Sequence, residues 1–521
     1  MRWSKAKGLV VVGLILSLAA AAMAADWYWG LPEGLKTNYV GTPTCAKCHQ
    51  SQNQLWLGSH HERAMDHATE KSVLGDFQNA KLEHKSWRTG ESYGITSTMF
   101  KRDGKFFINT EGPDGKLHDY EIKFTFGLTP LQQYLVEMDG GRLQALSVAW
   151  NTVKKEWFLL DMEGDHVRPD DPLLSALHWT GRGMNWNHMC ADCHSTNLEK
   201  KYDLATRTFH TSYSEINVAC EACHGPGSIH VQLAESKSMF WDRQYGYGLA
   251  KLKQTDTKPQ IETCAKCHSR RHVVEPNQRP GDEYLDHYIP ELLDTHVYHA
   301  DGQIQPTEEA YVYGSFLQSK MYRKGVRCTD CHDPHTTRVK ADGNLLCAKC
   351  HVPAKYDSPS HHFHKAGSTG AKCVECHMPA TTYMLVDPRL DHSIRIPRPD
   401  LTVSLKQKYN QDVPNACNRC HTKPTETPAW AAEKVRTWFP PKPKPEPHYG
   451  EVFAGGRVRD PAALNQLEKI ANNEQRENYG PIVLQSNLKL AGRYGNEQCE
   501  EVVKRALSDP EPLVRFAATR S

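Results

Sequence analysis

The sequence predicts a mostly α and irregular fold wrapped on a stack of closely spaced prosthetic groups, with an inserted small β-rich domain and a C-terminal α-helical repeat segment. Three observations predict it. Eight C-x-x-C-H motifs take up sixteen of the seventeen cysteines. Seven of these motifs fall between Cys190 and His421, about 33 residues apiece, which is too little chain for each to own a domain. The two motif-poor stretches differ in kind: one shows strand-like runs between tight turns, the other apolar residues at helical spacing.

In C-x-x-C-H, two thiols add across the vinyl groups of a haem and the histidine gives the iron its first axial nitrogen. In chain order the motifs are Cys45/Cys48/His49, Cys190/Cys193/His194, Cys220/Cys223/His224 and Cys264/Cys267/His268, then Cys328/Cys331/His332, Cys347/Cys350/His351, Cys373/Cys376/His377 and Cys417/Cys420/His421. Paired cysteines in an exported chain also fit a disulfide framework, and tandem C-x-x-C pairs also build tetrahedral zinc sites. Neither explains a histidine after the second cysteine every time, when histidine is about one residue in nineteen. The expectation is eight covalently bound haem c groups, with iron on the eight motif histidines. The leftover Cys499 shares helical spacing with Val502, Val503 and Ala506, which reads as a small core residue.

The N-terminus reads as a secretory signal over residues 1–24. Arg2, Lys5 and Lys7 form a basic n-region, Leu9 to Ala22 an apolar h-region, and Ala22-Met23-Ala24 an A-x-A cleavage site. The alternative is a retained anchor, for which the apolar run is short. No cysteine stands near the cleavage site, so the lipoprotein pattern is missing. The expected location is periplasmic, extracellular or at the cell surface. Losing the signal takes the formal charge from +2 to about −1, and haem propionates make the loaded chain acidic. Nothing resembles a basic nucleic-acid surface. Apolar residues, 39% of the chain, are sparse for one large core, a shortage that porphyrin surface offsets.

The organisation read from the chain is a first haem segment (25–90), the β-rich insert (91–165), a heptahaem core (166–438), a Pro-rich linker (439–456) and HEAT-like helical repeats (457–521). The first segment carries a helix with His60, His61 and His67. The insert's strands are Ile95 to Lys101, Phe106 to Thr110, Leu117 to Phe126, Leu143 to Ala149 and Trp157 to Leu160, with turns at Asp103-Gly104 and Pro113-Asp114-Gly115. It reads equally as a partner or substrate surface and as a lid that shields haem edges from water. Trp430 to Trp438 suggests a helix, and Pro440 to Pro447 a stiff extended linker. Amphipathic helices then follow at Leu464/Leu467/Ile470, Leu484/Leu488/Ala491 and Val502/Val503/Ala506. Ser521 falls inside a last helix, so the repeat end either docks on something or marks a truncated chain.

Twenty histidines lie outside the motifs, enough to supply a second axial ligand to every iron. The candidates are His60, His61, His67, His178, His230, His272, His299, His335, His362, His364 and His392; the alternative roles are propionate partner, proton relay or ordinary polar residue. His335 lies three residues beyond His332, so it leaves on the proximal side of its own haem and reaches a neighbour instead. The same holds for His230, six beyond His224, and His272, four beyond His268. His60 and His67 are seven apart, on one face of the expected helix. His361, His362 and His364 crowd ahead of the seventh motif. Two histidines give a comparatively low-potential iron that passes electrons, whereas an open sixth position binds a small substrate. No motif ends in lysine, and no catalytic residue is identifiable.

Further segments carry a family resemblance. They are Tyr39-Val40-Gly41, Trp56 with Ser59-His60-His61, Pro130 to Leu135, Gly141 to Gln144, His178 to Gly181, Cys223 to Ser228, Phe316 to Met321, Cys376 to Pro379 and Asp391 to Asp400. With them, residues 39 to about 438 resemble multihaem (octahaem) c-type cytochromes of the cytochrome c-552/c-554 class, in the branch with C-terminal helical repeats. The resemblance implies electron transfer outside the cytoplasmic membrane, with redox proteins or a small-molecule donor or acceptor as partners and no nucleic acid. The β insert and the C-terminal helices are the candidate docking faces. Octahaem relatives also include hydroxylamine-oxidising and nitrite- or tetrathionate-reducing enzymes, so an oxidoreductase stays open as the alternative. Mass spectrometry of the mature chain is expected to show about eight added haems of roughly 616 Da each; a clear shortfall would refute the motif reading at the missing sites.

Overall fold

The structure is a computed structural model. It describes residues 2–29, 36–86, 89–160, 178–236, 248–294, 296–306, 309, 311–440, 448–471, 478–494 and 497–520. Of the expected linker (439–456), residues 441–447 lie outside the described residues, as does the side chain of Cys499, and 449–456 are helical instead of extended. Helix α1 (Arg2–Trp29) includes a 23-residue span, Lys7–Trp29, whose most apolar 18-residue window has mean hydropathy 2.4. It runs past the expected h-region, so by length and composition it can cross a bilayer; a signal sequence meets the same description.

The β-rich region is one nine-stranded antiparallel sheet: β1 (Met65–His67), β2 (Ala80–Lys85), β3 (Ser92–Arg102), β4 (Lys105–Glu111), β5 (Leu117–Phe126), β6 (Leu131–Met138), β7 (Arg142–Ala145), β8 (Val148–Asn151) and β9 (Glu156–Leu159). The main path runs β2-β3-β4-β5-β6-β8-β9, with β1 on β5 and β7 on β6. Strand β4 shows why these residues form strands: Phe106, Ile108 and Thr110 point inward while their neighbours are less buried. The β3–β4 turn uses Asp103 and Gly104, both at positive φ (53° and 74°), as a tight hairpin requires. Phe77, Met99, Phe106, Ile122, Tyr134 and Trp150 belong to the sheet's own core.

Three features differ from the sequence expectation. The helix after the first motif, Gln50–Trp56, stops before Gly58, which sits at φ 77°. His67 therefore lies on β1, paired opposite Phe124, and not on a helix face shared with His60. The sheet also draws in β1 and β2 from upstream of the expected insert, and the single run Leu143 to Ala149 is two strands, β7 and β8.

The sheet joins the motif-bearing chain through a second apolar cluster, in which Met65, Phe126, Leu135 and Ala145 meet Trp186, Ala191 and Leu198. Polar side chains complete the joint. The Gln144 amide donates to the carbonyls of Trp179 and Gly181, both at 2.8 Å, and accepts from Asn185 at 2.9 Å. At Gly141 (φ 70°) any Cβ would stand 2.3 Å from the Phe209 carbonyl, so only glycine fits. From Cys190 to His421 the chain is short helices, three two-stranded ribbons and loops, with Lys258–His268 and Pro399–Tyr409 the longest helices among the described residues at 11 residues each.

Five further helices close the chain: α2 (Tyr449–Arg457), α3 (Pro461–Ala471), α4 (Pro481–Gly492), α5 (Glu497–Ala506) and α6 (Pro512–Ala518). They do not stand free. Helix α4 is buried along nearly its whole length and shares one core with Tyr284, Leu293, Val297, Tyr313 and Leu317. Ser486 Oγ accepts from the Leu293 amide at 2.9 Å, and the buried Asp294 carboxylate receives Arg493 at 2.8 Å and Lys489 at 3.3 Å. Leu467, in α3, is fully buried in this core. Leu467→Ala is expected to cost about 2–5 kcal/mol in denaturant unfolding; a loss under about 0.5 kcal/mol, the range of surface substitutions, would show that the helices are not docked.

Candidate metal centres

Each motif is one turn of helix, or close to it. The backbone amide of the motif histidine bonds the carbonyl of the first cysteine: His49 to Cys45 at 3.0 Å, His194 to Cys190 at 3.2 Å, His332 to Cys328 at 2.9 Å, His351 to Cys347 at 2.9 Å and His421 to Cys417 at 3.0 Å. One such turn gathers two thiols and an imidazole, the donor set that attaches haem and ligates its iron. All sixteen motif thiols are free, and among the described residues no three or more His, Cys, Asp or Glu side chains converge as a metal cluster.

Six motif histidines face a second histidine. The pairs are His49–His230 (ring centres 6.2 Å apart), His224–His335 (6.5 Å), His268–His61 (6.4 Å), His332–His392 (6.4 Å), His377–His361 (6.2 Å) and His421–His364 (6.0 Å). A metal–imidazole bond is about 2 Å, so two rings on opposite sides of one metal have their centres about 6 Å apart. The residues fit a haem iron between them. The second nitrogen supports the fit, because Nδ1 of His377, His392 and His61 lies 2.8, 2.9 and 3.2 Å from the carbonyls of Arg395, Leu390 and Pro334. A carbonyl only accepts, so each Nδ1 carries the proton and Nε2 keeps its lone pair. Burial acts the same way, pushing His224 and His268 down to about 4 and lowering His61, His230, His332, His361 and His392.

The other candidates lie elsewhere. His67 packs on Phe124 and His60 is exposed. His178 is buried beside Thr180 (2.7 Å) and Glu111 (3.9 Å). His272 is exposed and bonds Glu291 at 3.0 Å, because the strand Arg271–Val273 turns Arg271 inward, onto Tyr288, and His272 outward. His299 sits near Asp301, its pKa lowered by burial. His362 accepts the His364 amide at Nδ1 (3.1 Å), and its buried Nε2 has no hydrogen-bond partner in the protein.

Neighbouring motifs meet through their sulfurs. Cys45 lies close to Cys220, Cys193 to Cys267, Cys264 to Cys328, and Cys347 to Cys373. Cys223 neighbours Cys264, Cys331 neighbours Cys347, and Cys376 neighbours Cys417 and Cys420. The helices pack accordingly: Thr42–Ala46 on Cys220–His224, Ala191–His194 on Lys258–His268, and Asn344–Ala348 on Cys373–His377. Numbered in chain order, the motifs run 1–3–4–5–6–7–8 in space, and motif 2 branches from motif 4. Arg271 bridges that branch, bonding Asp192 at 2.7 Å with its guanidinium over Tyr288.

Repeated C-x-x-C-H turns of this geometry define a multihaem c-type cytochrome, with haem c attached covalently. Comparison with known proteins agrees. A family model described as cytochrome c554 and c-prime matches residues 44–116 and 176–225, and one described as a doubled CXXCH motif matches residues 320–356. No curated protein sequence matches the chain. Among solved structures, the crystal structure of outer cell wall cytochrome OcwA aligns with a TM-score of 0.50 at 16% identity, over 92% of this chain and 99% of that one. At that identity the likeness is one of fold, shared along nearly the whole length.

One side chain ties the first motif to the third. Glu221, inside Cys220–His224, is buried and accepts the backbone amides of Val40 (2.9 Å), Gly41 (2.8 Å) and Gly227 (2.8 Å). Sequence reading gave it no role, although Tyr39-Val40-Gly41 and Cys223 to Ser228 both stood out. Glu221→Gln puts an amide NH2 against these donors and is expected to cost about 1.5–3 kcal/mol. Thermal unfolding of the loaded protein checks this; an unchanged midpoint would contradict the clamp.

Proposed function

We propose that this chain is an exported octahaem c-type cytochrome that carries electrons through closely packed, mostly bis-His haems in respiratory or extracellular electron transfer. The observation that carries the reading is the set of six histidine pairs with ring centres 6.0–6.5 Å apart, each containing one motif histidine. Haem iron held in such a pair supplies a reversible one-electron couple at comparatively low potential.

The protein's part is to fix distance, ligation and access. The close approach of motif cysteines along the row holds the porphyrin edges near one another, and electronic coupling falls steeply with separation. The row of motifs 1–3–4–5–6–7–8 is thus the conducting path. Cys48, Cys350 and Cys420 are exposed, which makes the edges at motifs 1, 6 and 8 the places for exchange with redox proteins or small-molecule donors and acceptors. Arg395 and Arg398 line a small cleft beside Cys376, where their guanidinium groups would hold propionates. Helix α1 supports export as a signal segment, and the sheet and the α2–α6 helices remain the proposed docking faces.

His335 tests the reading because it is bound to no haem of its own motif. With Asp333 accepting the His335 and Thr336 amides at 3.1 and 2.8 Å, its loop keeps its shape without the imidazole. His335→Ala is expected to turn one low-spin haem high-spin in electron paramagnetic resonance and leave the other signals in place. An unchanged low-spin spectrum would overturn the pairing with His224.

A further inference from the structure

Motif 8 ends the row, and its histidine bonds a charged group. His421 Nδ1 lies 3.3 Å from Glu426 Oε1. A carboxylate only accepts, so Nδ1 carries the proton and Nε2 is left for the metal. The Nδ1 atoms of His377, His194, His61 and His392 lie instead against neutral backbone carbonyls. His364, which faces His421, likewise has its Nδ1 on the His362 carbonyl. The two imidazoles of this pair therefore differ: one has a neutral partner, the other a negative one.

The contact is held from several sides. The Glu426 amide donates to the Lys423 carbonyl at 2.8 Å, and the Glu426 carbonyl accepts Asn418 Nδ2 at 2.6 Å. Asn418 Nδ2 also reaches the His421 carbonyl at 3.1 Å, so one side chain inside the motif fixes both partners. Thr427 then caps the helix Pro428–Trp438 by accepting the Trp430 amide at 3.2 Å. That helix packs Trp430 on the His421 ring at 5.0 Å and sets Trp438 edge-on to His364 at 6.5 Å. Its two ends rest on the two imidazoles of one pair. The Glu426 side chain is 18% exposed, so the bond is largely out of bulk water. Of the nearby cations, Lys423 stands 4.0 Å from the carboxylate but is 79% exposed and screened by solvent. Arg419 pairs with Glu375 of motif 7 at 3.7 Å.

We propose that Glu426 is a positioning residue that makes the haem site of Cys417, Cys420 and His421 the electron-entry end of the row. A carboxylate partner makes an imidazole a stronger donor to its metal, and a stronger donor favours ferric over ferrous iron. A charged acceptor makes such a bond roughly twice as strong as a neutral one does. Iron at His421 therefore lies at lower potential than iron at His377, whose partner is the Arg395 carbonyl. One electron leaves a donor protein docked at the exposed Cys420, reduces ferric iron at His421 to ferrous, and moves downhill to ferric iron at His377. The inference rests on the electron-transfer reading and gives its row a direction.

Potentiometric titration of the loaded protein, followed by electron paramagnetic resonance, tests this. The ferric low-spin signal removed by His364→Ala belongs to motif 8, and the one removed by His361→Ala to motif 7. In the natural chain the motif 8 signal should persist to lower potential than the motif 7 signal. Glu426→Gln keeps the shape and an acceptor oxygen but removes the charge. It should favour ferrous iron at motif 8 about tenfold, a rise of about 59 mV for one electron. Glu426→Asp keeps the carboxylate and should move the midpoint less. Should Glu426→Gln fail to load that haem, the order of the two signals in the natural chain decides alone. Motif 8 reduced before motif 7 would overturn the proposal. So would an unmoved midpoint in loaded Glu426→Gln, or an Asp variant shifted as far as the Gln variant. Each of these leaves the histidine pairs standing. A His364→Ala spectrum that loses no low-spin signal would instead sink the pairing on which the proposal rests.

Discussion

Two imidazoles that share one metal must hold their ring centres about 6 Å apart, each aiming a ring nitrogen at the metal from opposite sides. That constraint organises the region from Cys190 to His421, where secondary structure is too short to specify a fold alone. A four- or five-residue turn such as Cys220–His224 or Cys373–His377 is far below the length at which a helix is stable in isolation. Each turn is fixed instead by being bound at two sulfurs and one nitrogen, and six of the eight are faced by a histidine from outside their own motif. His335 reaches His224 and His392 reaches His332, so each pair ties together segments distant in the sequence. Haem insertion and folding are therefore one process in this region, as metal binding and folding are in small metalloproteins.

Ordinary hydrophobic cores lie on either side of this region. The nine-stranded sheet has one, and the α2–α6 helices share another with the chain around Tyr284 to Leu317. The second is closed tightly: a Cβ on Gly480 would stand 1.7 Å from the Leu317 carbonyl. These bodies give the motif-bearing chain rigid walls. Their polar joints, Gln144 on one side and Asp294 on the other, set the register in which the walls meet it. Where function needs fixed separations between redox groups, such walls serve conduction as much as stability.

What could be read from the sequence follows from how local each physical requirement is. The C-x-x-C-H attachment sites are legible because the chemistry demands a fixed spacing. Strands β4 and β5 are legible because one face is buried and Asp103-Gly104 marks their turn. Strand β6 is not, since Gln132, Gln133, Tyr134, Leu135 and Val136 are all buried and no alternation survives. The geometric argument placed His335 and His230 on neighbouring haem positions, and the structure puts them opposite His224 and His49. The same argument failed for His272, whose strand pairing turns it to solvent. Within His361, His362 and His364, adjacency in sequence hid which ring faces which motif; the positive φ of Phe363, 55°, splays them in different directions. The order of motifs in space, with its spur at motif 2, depends on long-range packing and left no trace in spacing.

The central claim is a spatial one: a row of irons, six of them between named histidine pairs, with one iron on a spur. Anomalous diffraction at the iron edge from crystals of the loaded protein tests it most directly. The account predicts iron peaks between His49 and His230, His224 and His335, His268 and His61, His332 and His392, His377 and His361, and His421 and His364. It also predicts a peak at His194 whose nearest iron is the one on His268. Iron at His194 lying within the main row, or absent, or iron missing between the paired rings, would contradict it.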